Sequence, residues 1–438
     1  SILNGRELPA SRTREARAGD AASHDPAGAQ SESVSLELIA REVGTPCYVY
    51  SSAAIREQFS RLRDAVGKLD ARLHYSVKAN SSIAILAILR ELGAGLDIVS
   101  GGELFRALKA GYSGRDIVFS GVGKTEREME EALRAEVLLV NVESEQELYA
   151  LDAVAKRLGV VAPVALRVNP EVLVDTPHPY TRTGEKGMKF GIPFDEALSV
   201  AKVAANLKNL RLLGLDMHVG SQISQFAPYE VGVQRLLYLR REIERDTDVR
   251  LEYLDIGGGL AVTYDVERSV DVRQFGEVIS ALVGGSGLKI ILEPGRFLVG
   301  NAGVLLTRVL YRKRSGGKEF IITDAGMTDL LRPSHYNAFH RIEAVNPTGR
   351  TTVADVVGPI CESGDFLALD RQIDDARPGD LLAVQSTGAY GFVMASNYNS
   401  RPRPAEVLVD GDRFAVITRR ESYDDLIRNE EPPTWRNS

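Results

Sequence analysis

The hydrophobic and polar pattern changes texture at residue 46. Before it, residues 1–34 are rich in Ala, Ser, Arg, Asp and Gly and carry little apolar periodicity, the composition expected of a mobile tail. After it, short β-rich runs alternate with amphipathic runs of helical period. The strand-like runs are LHYSVK (73–78), GLDIVS (95–100), DIVFSG (116–121), VLLVNV (137–142), VALRVN (164–169), LLGLDMHV (212–219), YLDIGG (253–258) and KIILEPG (289–295). Helical segments lie between them at 82–92, 103–111, 125–134, 144–158, 194–207, 229–244 and 271–283, and one more at 52–67 precedes the first strand. This succession predicts a (β/α)8 TIM-type barrel over 46–298, a span close to the roughly 250 residues usual for that fold. A doubly wound parallel sheet shows the same alternation, but eight unbroken units favour the barrel.

After residue 300 the rhythm stops. Runs such as GVLLTRVLYR, KEFIITDAG, TTVADVVG, DLLAVQS and AEVLVDGDRFAVI are short, β-branched and separated by Gly, Pro and Asp. They predict a C-terminal antiparallel β domain over 299–438, joined by an early segment at 35–45.

Composition narrows the function classes. The 438 residues carry 53 basic and 60 acidic side chains, a net charge of −7, and no basic stretch long enough to track a nucleic-acid backbone. No run of 18 apolar residues is present, so no membrane span is expected, and no apolar signal core follows Ser1. Two cysteines, Cys47 and Cys361, cannot make a disulfide framework, and a cytoplasmic location is the expectation. Forty glycines make their placement the informative question.

A barrel builds its active site at the carboxyl ends of its strands. The first strand ends at Lys78, either a surface lysine reaching water or an amine at the barrel mouth able to act as a nucleophile. The sixth runs into His218-Val219-Gly220-Ser221, where a flat imidazole suits stacking and the hydroxyl and amides suit an anion. The seventh reaches Gly257-Gly258-Gly259 and the eighth Glu293-Pro294-Gly295-Arg296. A triple glycine alone is a tight turn; two glycine turns after adjacent late strands favour a phosphate site. Neither G-x-G-x-x-G nor a Walker-type loop is present, and the six histidines and two cysteines show no CxxC or HExxH spacing, so no metal is expected. Glu293 either pairs with Arg296 or, if the phosphate belongs to pyridoxal phosphate, holds the pyridine nitrogen protonated. Cys361 is by itself equally a small buried hydrophobe, although Glu362-Ser363-Gly364-Asp365 after it favour a polar site.

HYSVKAN, HVGSQ, GGG, EPGR, CESGD and GAYGF together resemble the fold-type III pyridoxal-phosphate decarboxylases over residues 40 to 425. Within that family, HPYTRTGEKGMKFGI (178–192) and SNYNSRPRPAEVLVDG (396–411) resemble the branch acting on diaminopimelate rather than on ornithine or arginine. The resemblance implies decarboxylation of meso-diaminopimelate to lysine by a barrel-plus-β-domain enzyme. It implies that Lys78 forms the Schiff base with the cofactor, that His218 stacks on its ring and that Glu293 faces the ring nitrogen. Ser221, Gly257, Gly258, Gly259, Gly295 and Arg296 would hold the phosphate, with Tyr390 touching phosphate and substrate. Arg296, Arg332 and Tyr336 would bind substrate carboxylates, Glu362 the distal ammonium, and Cys361 would supply a proton. It also implies a homodimer whose active sites are shared, since Cys361 and Glu362 would come from the second subunit. Relatives acting on other D-configured or carrier-bound amino acids, a racemase, and a non-catalytic homologue stay open as alternatives. The loop around 178–190 is expected to close over the substrate.

Overall fold

The computed structural model describes residues 30–172, 183–265 and 270–436. The chain divides into two compact units: Ser52–Asn301 with Gly388–Val393, and a second made of the described residues up to Ser51, Ala302–Thr387 and the chain from Met394 onward.

The first unit is a closed, all-parallel eight-stranded barrel. Its strands, in chain order, are β1 (Ala71–Ser76), β2 (Gly95–Ile98), β3 (Ile117–Phe119), β4 (Leu139–Val142), β5 (Ala162–Arg167), β6 (Leu210–Asp216), β7 (Tyr253–Asp255) and β8 (Lys289–Leu292). The ring closes where Leu292 of β8 pairs with Leu73 of β1. A helix follows each of β1 to β7, and the helix Ser52–Ala65 packs against Val272–Val283 to complete the outer layer. That contact needs Gly276, where a Cβ would stand 2.1 Å from the Ala65 carbonyl oxygen. Local signals start the helices where the sequence suggests: Thr125 and Glu128 form a capping box before Glu126–Arg134, and Ser144 Oγ accepts the Glu147 N–H. No helix among the described residues is long and apolar enough to cross a membrane.

The sequence runs overshoot the strands at their carboxyl ends. LHYSVK reads as strand to Lys78, yet the ladder stops at Ser76 and Val77–Ala79 form a 3₁₀ turn. YLDIGG reads as strand to residue 258, and the ladder stops at Asp255. Apolar alternation continues past the last ladder bond, so it does not mark where the chain bends over the barrel mouth.

The second unit is a nine-stranded sheet that is mixed rather than purely antiparallel. Lys318–Thr323 pairs in parallel with Thr351–Val357, and Ala405–Asp410 in parallel with Cys47–Ser51. The 46–298 boundary is therefore displaced. Cys47–Ser51 lies in this sheet between Gly303–Ser315 and Ala405–Asp410, and Cys47 packs in its apolar core with Leu36, Ile39, Val304 and Val407. Residues 388–393, expected in the β domain, belong to the barrel unit because Tyr390 N–H donates to the Ala79 carbonyl and Asn80 to the Gly388 carbonyl.

Candidate active site

The carboxyl ends of the barrel strands gather the expected residues of that unit. Lys78, placed by the turn after β1, holds its Nζ 3.3 Å from Asp97 Oδ2 at the end of β2. Ser76 Oγ donates to the same oxygen at 2.8 Å. Burial alone would pull the Lys78 ammonium down, but the charges of Asp97, then Tyr390 and Glu293, outweigh it and the pKa is raised. The resting side chain is thus an ammonium, about a third of it exposed, aimed at a fully buried carboxylate.

Three acids gather at the ends of the strands on the other flank of β1, beginning with its neighbour β8. Asp216 and Asp255 end β6 and β7 and Glu293 follows β8, with one carboxylate oxygen from each lying within 4.8 Å of the others. Burial first, then mutual repulsion, holds Glu293 and Asp216 well above the ordinary carboxylate range, and burial raises Asp255 to about 7. Glu293 and Asp255 are hydrogen-bonded to each other, while Glu293 Oε1, Asp216 Oδ1 and Asp255 Oδ2 are buried and have no hydrogen-bond partner among the described residues. Arg167 at the end of β5 is a buried cation of this neighbourhood, ion-paired to Glu143 at 2.8 Å. His218 follows β6; burial, then the charges of Lys78 and Arg167, hold its pKa well below 6.5, so the ring is neutral.

The glycines between these groups are sterically required. A Cβ on Gly258 would stand 2.0 Å from the Glu293 carbonyl oxygen, and one on Gly259 2.2 Å from that of Gly220. Gly257 and Gly259 adopt φ of +70° and +99°. The Gly257 N–H is used internally, donating to Asp255 Oδ1 at 2.9 Å. Those of Gly258 and Gly259 donate to no described residue. Beside them, the Arg296 guanidinium donates to Ser221 Oγ at 3.2 Å and to the Tyr264 hydroxyl, and lies 4.7 Å from the Tyr390 ring centroid. Gly295 packs against Ser76 and Ala79, where a Cβ would stand 3.0 and 3.2 Å from their Cβ atoms, a tight fit.

The remaining candidates belong to the second unit. Arg332 opens the helix Arg332–Tyr336, is buried, donates through Nε to His340 Nε2 at 3.3 Å and lies 5.6 Å from the Tyr336 ring centroid. Cys361 is exposed on a turn, its N–H donating to Asn399 Oδ1 at 2.8 Å, and the neighbouring Glu362 is hydrogen-bonded to Tyr398. Asp365 pins that turn, its two oxygens accepting the N–H groups of Met327 and Ile360.

Residues 52–300 match the family model of the pyridoxal-dependent decarboxylases, pyridoxal binding domain. Diaminopimelate decarboxylase of Aquifex aeolicus (strain VF5) is 48% identical over 399 residues, covering 90% of this chain and 94% of the relative. That of Pseudomonas aeruginosa is 48% identical over 400 residues, covering 91% and 96%. The chain belongs to the diaminopimelate decarboxylase family. The crystal structure of the Helicobacter pylori diaminopimelate decarboxylase complexed with L-lysine superposes with a TM-score of 0.87 at 39% identity, covering 90% of this chain and 98% of that one.

Pyridoxal 5'-phosphate is the cofactor of this family, and the barrel mouth fits it. A buried carboxylate oxygen without a partner suits a ring N–H, and unused glycine amides suit a phosphate. Three carboxylates alone would equally suit a metal ion; the lysine and the glycine cradle beside them select the phosphate-bearing pyridine. Several residues gathered here were not singled out from the sequence of this decarboxylase: Asp97, Asp216, Asp255, Arg167, Tyr264 and Thr183, whose Oγ1 lies 2.9 Å from His218 Nδ1. Four of them had a signal, a charged residue inside the last positions of an otherwise apolar barrel strand. The closing loop expected around 178–190 lies partly outside the described residues, which resume at Thr183.

The acid cluster sets a pH dependence. Asp255 of the cluster, and outside it Glu103 on the helix Gly101–Lys109 after β2, are both raised to about 7, by burial first. A raised carboxyl contributes stability that is complete below its unfolded value of roughly 4 and is lost as pH climbs through 7. The neutral histidines His74 and His218 act in the other direction, but only below about pH 6.5. The cofactor-free protein is therefore expected to melt about 2 °C or more lower at pH 8 than at pH 6.5. Differential scanning calorimetry at the two pH values checks this, and a flat or rising Tm contradicts it.

Proposed function

We propose that this chain removes the D-configured α-carboxylate of meso-2,6-diaminopimelate, releasing CO2 and L-lysine. One observation carries the reading: a lysine amine, a buried carboxylate with one oxygen unpartnered among the described residues, and a cradle of glycine backbone follow three adjacent barrel strands. The relatives named above, and the lysine complex of one of them, support diaminopimelate as the substrate.

Pyridoxal phosphate supplies an electrophilic carbonyl and a ring that accepts the electron pair left when CO2 departs. The protein's part is binding, orientation and proton transfer. Lys78 would supply the amine that attaches the cofactor, and Asp97 Oδ2 holds its ammonium in place at 3.3 Å. Glu293 would hold the ring N–H, His218 would supply the ring that stacks on the cofactor, and the amides of Gly258 and Gly259 with Ser221, Gly295 and Arg296 would hold the phosphate, with Tyr390 contributing. Arg332, Tyr336 and Arg296 grip substrate carboxylates and Glu362 the distal ammonium. Binding at that remote end fixes the breaking bond in its reactive orientation. Cys361 protonates the carbon that has lost CO2. In this reading Cys361 and Glu362 are supplied by a second copy of the chain, so the working unit is a homodimer, and the enzyme acts in the cytoplasm.

The test is release of CO2 and lysine from meso-diaminopimelate by the pyridoxal phosphate-loaded protein, with D-ornithine and D-lysine in parallel. Turnover of meso-diaminopimelate well above the other two is expected. A loaded protein that leaves it untouched refutes the assignment.

A further inference from the structure

We propose that Thr183 is a positioning residue for His218, fixing its imidazole in the tautomer that carries the proton on Nδ1. The proposal rests on the reading of His218 as the ring that lies against the cofactor.

Thr183 Oγ1 lies 2.9 Å from His218 Nδ1 and 3.2 Å from the backbone carbonyl oxygen of the same residue. A hydroxyl has one proton to give and two lone pairs to offer. The carbonyl oxygen can only accept, so the hydroxyl proton goes there, and the lone pairs of Oγ1 are left facing Nδ1. That nitrogen must then be the donor, and Nε2 is left as the bare nitrogen. The ring is uncharged, as the burial of His218 and the cations Lys78 and Arg167 around it require, so it has one proton to place.

The chain that follows Thr183 is held in place by several contacts. The Gly184 carbonyl accepts the Val172 N–H at 2.9 Å, and Asn169 Nδ2 donates to the Glu185 carbonyl at 2.8 Å. Further along, the Gly191 N–H donates to Glu143 Oε2 at 3.0 Å, and the same carboxylate is paired with Arg167. Gly184 runs so close to the chain after β6 that a Cβ on it would stand 2.9 Å from Val219 Cα and 3.1 Å from the His218 carbonyl oxygen. The segment 183–192 is thus pressed onto the residue whose ring it orients, and Thr183 grips backbone and side chain of His218 together. An imidazole stacked on a ring needs a fixed plane, and the hydrogen bond on one nitrogen decides what the other presents. Thr183 lies inside the HPYTRTGEKGMKFGI stretch, but nothing in that stretch assigns it a role; its distance to His218 does.

Thr183→Val removes the hydroxyl at nearly constant shape, and Thr183→Ser keeps it. The dissociation constant of pyridoxal phosphate, read by its fluorescence, and the circular dichroism of the bound cofactor band are measured for both. Selective 15N labelling of histidine, with His218→Asn to assign the signal, reads the tautomer in the wild-type holoenzyme. The valine variant is expected to bind the cofactor ~10-fold more weakly with an altered dichroic band, and the serine variant to stay within about twofold of wild type. The labelled His218 is expected to report a protonated Nδ1. A valine variant indistinguishable from wild type, or a proton found on Nε2, overturns the proposal. The tautomer measurement decides the matter even where the valine variant does not fold. Cofactor affinity and dichroism unchanged in His218→Asn would instead refute the role of His218, and neither result bears on which amino acid is decarboxylated.

Discussion

Replacing Lys78 by alanine is expected to abolish covalent attachment of pyridoxal phosphate and to lower the decarboxylation rate by at least ~10²–10⁴-fold, the range for loss of a proton-transferring group. Borohydride reduction followed by denaturation reads the linkage directly: the label stays on the wild type and washes off the variant. The structure explains why the loss should be clean. Lys78 sits on a 3₁₀ turn after β1, and its Nζ touches Asp97, whose Oδ2 also accepts from Ser76 Oγ. Truncating the lysine leaves that carboxylate with a donor and the turn with its backbone anchors, so the barrel has no reason to unfold. Lys78→Arg separates charge from covalency, because the guanidinium keeps a cation beside Asp97 but stays protonated and cannot attach. Both variants should be unlabelled. A label that persists on either one means that another amine forms the linkage.

The barrel was readable because eight parallel strands buried on both faces leave long apolar runs with helical segments between them. What ended each strand was not readable. Apolar alternation carries straight on through Val77 and Ile256, while the ladder stops at Ser76 and Asp255, and the chemistry begins in that gap. The strand Cys47–Ser51 was misplaced for a different reason. It precedes the first barrel helix directly, but its partners lie at Gly303–Ser315 and Ala405–Asp410, and pairing over such separations leaves no local trace. The same holds for the two parallel pairings in a sheet whose strands read as antiparallel. Lys78, His218, Glu293 and the glycines could be named because each closely follows a strand and the set matches one cofactor. Asp97, Asp216 and Asp255 stood in the same strand runs and were passed over, since a single acid in an apolar run carries no spacing pattern. Only the fold, which puts all three around Lys78 and Glu293, shows them as a group.

That group makes Glu293 the second decisive position. Its carboxyl is buried with Asp216 and Asp255, all within 4.8 Å, and Oε1 has no partner among the described residues. An anion there is costly for the protein alone, as its raised pKa records, and becomes favourable only beside a cationic ring N–H. Glu293→Gln keeps the shape and removes the charge. The ring proton is then held less tightly, so the pH dependence of the cofactor's absorption should move to lower pH. The rate should fall by ~10²–10³, the usual cost of removing one group aimed at developing charge. Lys78 attachment should survive, which separates this variant from Lys78→Ala. A rate within about threefold of wild type, with an unmoved absorption titration, would mean that Glu293 does not face the ring nitrogen. The same substitution should act oppositely on stability. Removing one of three mutually repelling buried acids relieves the cofactor-free barrel, so Glu293→Gln should melt higher than wild type at pH 8 without cofactor. An activity loss joined to a stability gain is what a residue kept for the ring, rather than for the fold, must show.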